Sequence, residues 1–173
     1  MKRIILIAHI IYMCAYAYPE IVPFNYVHDF EPVTKLCQQE WHNLFTIPFD
    51  SGMLHRMFAL RKSGDPTQSD KQLLINVLKA DKQVIGFVTY FMKNPKTVHL
   101  ELLAIDKEQR GNGYGTQLLN HVAQFGTKIG AQNLQLFVLN HNKRGFDFYH
   151  RLGFVSSLKY PGYVLLCKNL TAH

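Results

Sequence analysis

The sequence predicts an α+β fold: a mixed central sheet, made of an antiparallel meander plus a strand–helix–strand unit, flanked by helices. Three observations predict it. Residues 72–79, 84–93 and 97–105 are strand-like runs separated only by the turns Ala80-Asp81-Lys82 and Asn94-Pro95, which implies antiparallel neighbours. The third run leads through a glycine-rich loop into an amphipathic helix with apolar Leu118, Leu119, Val122 and Phe125. Residues 133–139 then read as a buried strand.

The other elements follow in chain order. Residues 1–17 differ from the rest: Lys2-Arg3 form a positive start, residues 4–16 are uncharged and mostly apolar, and Ala15-Tyr16-Ala17 suits cleavage before Tyr18. This pattern predicts a secretory signal peptide, too short to span a bilayer, leaving a single domain over 18–173 and no stable membrane anchor. The expected location is outside the cytoplasm; a start at Met13 is the cytoplasmic alternative. Residues 20–27 predict a first strand. Asp29 or a neighbour caps a helix reaching Phe45, with Val33, Leu36, Cys37 and Leu44 at helical spacing and Pro32 in the first turn. Residues 51–61, with Leu54, Met57 and Phe58, predict a second helix, and 62–70 a polar loop. Asn142 caps a helix that ends where Gly153 supplies a left-handed turn, and strands over 154–158 and 163–168 finish the chain.

Composition bounds the function. A chain of 173 residues with 47% hydrophobic content carries a full core. The net charge of +7 comes without a basic run or a nucleic-acid motif, so no nucleic-acid partner is expected. Nine histidines lack the spacing of a zinc helix, and no metal is expected. Cys14, Cys37 and Cys167 form no disulfide framework. Asn169-Leu170-Thr171 matches a glycosylation sequon by pattern.

The chemistry concentrates in Arg110-Gly111-Asn112-Gly113-Tyr114-Gly115-Thr116. A glycine-rich link between a strand and a helix start gathers backbone N–H groups under the positive end of the helix dipole, and Arg110 adds fixed charge. The site suits a polyphosphate. It is not a P-loop, which needs Gly-Lys-Ser/Thr, and the G-x-G-x-x-G register fails at Thr116. Downstream stands Asn142-Lys143-Arg144-Gly145-Phe146-Asp147-Phe148-Tyr149, leading to Gly153-Phe154.

Together the two segments resemble the GNAT superfamily of acyl-CoA-dependent N-acetyltransferases. The likeness rests on Arg-x-x-Gly-x-Gly (Arg110, Gly113, Gly115) after a Leu-Ala-Ile strand end, and on the later Asn-x-x-small-x-x-Phe-Tyr-x-x-x-Gly-Phe block. The resemblance implies acetyl-CoA as cosubstrate and transfer of its acetyl group to a primary amine by direct attack. It implies that backbone groups of Leu103, Ala104 and Ile105 pair with the pantetheine arm, that amides of residues 110–116 bind the diphosphate, and that Asn142 contacts the cofactor. It also implies that Tyr149 is the general acid; without that context Tyr149 reads as an apolar-face aromatic. The alternative function is a non-catalytic acyl-CoA-binding or interaction domain of the same fold.

Two roles stay open. Glu101 and His99 alternate with Leu103 and Ile105 along one strand, and either side chain, or water, serves as general base. Glu101 reads equally as a solvated or ion-paired strand carboxylate, and His99 reads first as a surface strand-end residue. The acceptor is an amine-bearing small molecule or a peptide or protein amine. Residues 30–70 hold Trp41, His42, Phe45, Phe49, Met53 and Phe58, which suit a pocket or a core, and no acidic cluster singles out a polyamine.

Overall fold

The structure, a computed structural model, describes residues 18–59 and 73–171. The expected signal peptide and polar loop 62–70 lie outside the described residues.

The chain starts with β1 (Glu20–Pro23), shorter than expected, because the first helix begins earlier. Helix α1 spans Tyr26–Leu44. Asn25, not Asp29, is its cap: Asn25 Oδ1 accepts from the amides of Val27 and His28 at 3.0 and 3.4 Å. Asp29 instead accepts from the Asn25 amide at 2.9 Å, completing a reciprocal cap. Asp29 is buried and also pairs with Lys79 Nζ at 2.7 Å. With this start Pro32 lies beyond the first turn, and the carbonyl of exposed His28 loses its helical donor. Helix α2 covers Ser51–Ala59.

Six more strands follow: β2 (Leu74–Ala80), β3 (Gln83–Asn94), β4 (Thr97–Ile105), β5 (Asn133–Leu139), β6 (Val155–Tyr160) and β7 (Tyr163–Asn169). Helix α3 (Tyr114–Lys128) makes the crossover from β4 to β5, and α4 (Lys143–Arg151) leads to the final hairpin. The sheet order is β1-β2-β3-β4-β5-β7-β6. Only β4 and β5 are parallel; the other neighbours are antiparallel. The predicted meander and strand–helix–strand unit are both present. The β2–β3 turn places Asp81 and Lys82 at φ of 49° and 65°, the left-handed backbone of a tight hairpin.

Two cores sandwich the sheet. Leu118, Leu119 and Val122 of α3 pack with Val98, Leu100, Leu134 and Leu136 on one face. On the other, Val33, Leu36, Trp41, Leu54 and Phe58 cover Val77, Phe87, Leu102 and Ala104. Gly126 lets α3 approach closely: a Cβ there would stand 2.8 Å from Leu170 Cδ1 and 3.2 Å from Val98 Cγ2.

The expected alternation along β4 does not hold. Tyr90 opposes Leu100 and Thr89 opposes Leu102, so Glu101 is an extra residue in the strand. A bulge of this kind reverses which face each side chain takes. Accordingly Leu100 belongs to the α3 core and Leu102 to the α1–α2 core. His99 and Leu103 therefore do not share a face.

Candidate active site

The parallel ladder between β4 and β5 runs only from Thr97–Asn133 to Leu100–Leu136. Beyond Leu100, at the bulge, the two strands part. Leu103, Ala104 and Ile105 pair with β3 on one side and have no β5 partners on the other. The wedge so formed opens into a cavity of about 630 Å³.

The glycine loop borders one end. Asp106 caps a short turn at Lys107–Gln109, its Oδ1 accepting from the Glu108 amide at 2.9 Å. Gly111 and Gly113 then adopt φ of 84° and 80°. This left-handed backbone favours glycine and lets the chain enter α3 without a side-chain cap. The first amides of α3 thus have no acceptor within the helix and point out of its positive end. Gly115 serves packing: a Cβ there would sit 3.2 Å from Phe148 Cζ.

Arg110 turns back across the wedge. Its Nε donates to the Ile105 carbonyl at 3.2 Å, and its Nη2 donates to Glu40 Oε1. Arg144, from α4, donates to the other oxygen of the same carboxylate. Glu40 is 8% exposed, so two guanidinium groups offset one nearly buried charge. Asn142 Oδ1 accepts from the Gly145 amide at 2.8 Å, and its Nδ2 donates to the Asn43 carbonyl at 3.2 Å. The end of α1 is thereby tied to both the loop and α4.

Tyr149 and His99 approach the wedge from opposite sides. Tyr149 is largely buried against Phe148 and Phe154, and desolvation pushes its phenol well above the usual tyrosine range. His99 is buried, not superficial: Gln135 Nε2 lies 3.0 Å from its Nδ1, and Glu101 Oε2 lies 3.5 Å from its Nε2. Its ring stands between Phe91 and Phe137, with centroids at 5.1 and 5.4 Å.

Of the residues predicted from sequence, Glu101, Leu103, Ala104, Ile105, Arg110, Gly111, Gly113, Tyr114, Gly115, Thr116, Asn142 and Tyr149 all border this cavity. Asn112 does not; its side chain closes the loop by donating to the Gln109 carbonyl at 3.2 Å. The sequence reading missed Glu40, Gln135, Phe137 and Tyr163. Glu40 lies 70 residues from Arg110 and 104 from Arg144, and nothing local marks it. A buried histidine opposite a glutamine became visible only once β4 and β5 were paired.

A family model described as the acetyltransferase (GNAT) family matches residues 35–154. The chain belongs to this family. The match takes in the end of α1, the wedge and α4, which are the parts that build the cavity. Among curated relatives, the thialysine N-epsilon-acetyltransferase of Bos taurus is 32% identical over 74 residues, covering 40% of this chain and 44% of that protein. The match thus spans less than half of that relative's length. A PaiA N-acetyltransferase from Thermoplasma acidophilum, crystallised in complex with coenzyme A, superposes with a TM-score of 0.68 at 20% identity, covering 88% of this chain and 99% of that one. An acetyltransferase from Thermus thermophilus gives a TM-score of 0.72 at 17% identity, covering 88% and 97%. At these identities the two likenesses are of fold, and the fold is that of GNAT acetyltransferases.

Proposed function

We propose that this GNAT protein transfers an acetyl group from acetyl-CoA to a primary amine. One observation carries the reading: a strand edge without β5 partners, a glycine-lined helix start without a side-chain cap and a buried tyrosine all border one wedge. The family membership and the coenzyme A complex of the Thermoplasma protein support it. The backbone of Leu103, Ala104 and Ile105 receives the pantetheine arm as an added strand. Amides of residues 110–116, with Arg110, receive the diphosphate. Asn142 fixes the start of α4, and so the position of Tyr149.

The amine nitrogen attacks the thioester carbonyl, and a strand N–H near Leu103 polarises its oxygen. That attack forms the C–N bond, and collapse of the adduct re-forms the carbonyl and breaks the C–S bond. The departing thiolate takes the Tyr149 proton, which burial has kept on the phenol. Before attack Glu101 takes one proton from the ammonium, with His99 as the group that passes it on or orients the carboxylate, and the second proton leaves the adduct nitrogen for solvent by the same route. The products are an amide and free coenzyme A, and solvent returns a proton to Tyr149.

The test is purified protein with acetyl-CoA, screened against amines by release of free thiol. Amine-dependent thiol release bears the reading out. Saturable coenzyme A binding with no release for any amine leaves the non-catalytic acyl-CoA-binding domain instead. Absence of binding at millimolar coenzyme A overturns both. The domain limits of 18–173 and export past a cleaved segment belong to the same proposal; N-terminal sequencing of the native protein finds Tyr18 if they hold and Met13 or Cys14 if they do not.

A further inference from the structure

Among the described residues, the half of the sheet made of β5, β7 and β6 is fully covered on one face and only partly on the other. The α3 face packs into the core through Leu134, Leu136, Val138, Val164 and Leu166. The opposite face carries rows set by strand register: Gln135, Cys167 and Val155; Phe137, Leu165 and Leu158; Leu139, Tyr163 and Tyr160. Four of its large side chains are exposed, at 46% for Phe137, 52% for Leu158, 64% for Val155 and 39% for Tyr160, around a buried Leu165 at 7%. An apolar patch of this kind on a protein surface marks a contact site.

The patch is continuous with the wedge. The Phe137 ring lies 5.1 Å from Tyr163 and 6.1 Å from Tyr160, both edge to face. It also lies 5.4 Å from His99, which in turn meets Glu101. An aromatic shelf therefore runs outward from the carboxylate assigned to the acceptor ammonium. The only acidic residues bordering the cavity, among those described, are Glu101 and Glu40, and both Glu40 oxygens already accept from arginines. Among the described residues, a second ammonium on the acceptor would find no further carboxylate bordering the cavity.

We propose that the acceptor is a small arylalkylamine: one primary ammonium at Glu101, joined by a short alkyl spacer to an aromatic ring resting on Phe137, Tyr163 and Tyr160. This rests on the acetyltransferase reading above. Charge complementarity fixes the ammonium end, and edge-to-face contacts with the exposed rings fix the other.

The experiment compares kcat/KM for phenethylamine, n-butylamine, lysine, spermidine and a peptide amide beginning with phenylalanine. Binding is read separately by saturation-transfer NMR on the phenethylamine ring. At least a tenfold preference for phenethylamine over n-butylamine is expected, falling below threefold in Phe137→Ala and weakening in Tyr160→Ala, with both variants melting as the parent does. Ring binding that depends on Phe137 without turnover of any amine removes the transfer reading and with it the acceptor role assigned here, leaving only a binding site for the amine. Turnover that favours lysine, spermidine or the peptide upholds transfer and overturns this inference. So does a light-scattering dimer that Phe137→Ala makes monomeric, because the patch is then an interface between copies.

Discussion

The two halves of the sheet differ in what covers them. The β1–β4 half is closed on both faces: α1 and α2 bury Val77, Phe87, Leu102 and Ala104, while α3 buries Leu78, Val88, Val98 and Leu100. Among the described residues, the β5–β7–β6 half is closed on one face and leaves Phe137, Val155, Leu158 and Tyr160 exposed on the other. The site lies at the joint, where the bulge at Glu101 ends the β4–β5 ladder. The contrast teaches a division of labour. The first half supplies the rigid edge on which the proposed pantetheine pairing rests, and the second leaves an apolar surface exposed among the described residues.

The largest test of that contrast is a deep truncation in the covered half. Phe87 is fully buried, so Phe87→Ala is expected to cost about 3–5 kcal/mol in urea unfolding. A cost near zero would break the distinction between the halves. At the joint, Tyr149→Phe is expected to lower kcat by about 100-fold or more while coenzyme A affinity, read by calorimetry, stays unchanged. An unchanged kcat removes the phenol from the mechanism. At the loop, Gly113 holds φ of 80° and an added Cβ would meet nothing within 4 Å, so Gly113→Ala acts through backbone strain alone. Roughly 1–2 kcal/mol of strain is expected to weaken coenzyme A binding by about tenfold; an equal loss of global stability with no change in affinity would contradict that.

Proton uptake sharpens the comparison further. Burial in the α1 core pushes the Cys37 thiol from 9.0 to about 12, and burial of Tyr149 also raises its phenol. Between those limits the unfolded chain has released protons that the folded chain keeps. The contribution of these groups is therefore fully present below about pH 9 and is lost as pH rises, by about 1.4 kcal/mol per pH unit for each such group. Urea midpoints followed up the alkaline limb are expected to show this fall, and Cys37→Ala to make it shallower; an equal slope in the variant would place its cause elsewhere. The smallest effect belongs to the bare face: Leu158→Ser is expected to stay within about 0.5 kcal/mol of the parent. A loss comparable to that of Phe87→Ala would mean that this face is covered in solution.

Much of this was legible beforehand. The meander, the crossover helix, the glycine loop and the Asn142 cap all depend on short-range patterns: period-two runs, left-handed glycines and a side chain reaching an amide three residues on. The errors were local too. Asn25 outcompeted Asp29 as cap because Asp29 is drawn inward to Lys79, and that partner lies 50 positions away in the chain. The bulge at Glu101 carries no glycine or proline to announce it. It was set by how β3 and β4 align, and it separated His99 from the strand face it was expected to share.

By itself, the sequence determined the order and kind of the elements and the loop that ends in a helix start, because these rest on backbone preferences and hydrophobic period. Only the tertiary structure decided that Glu40 holds Arg110 and Arg144, that His99 is buried beside Gln135, and that Phe137, Val155, Leu158 and Tyr160 lie exposed on one sheet face. Those arrangements join residues far apart in the chain. Which distant side chains meet is fixed by strand register and by helices packing over one half of the sheet, and neither is written in any short stretch of residues.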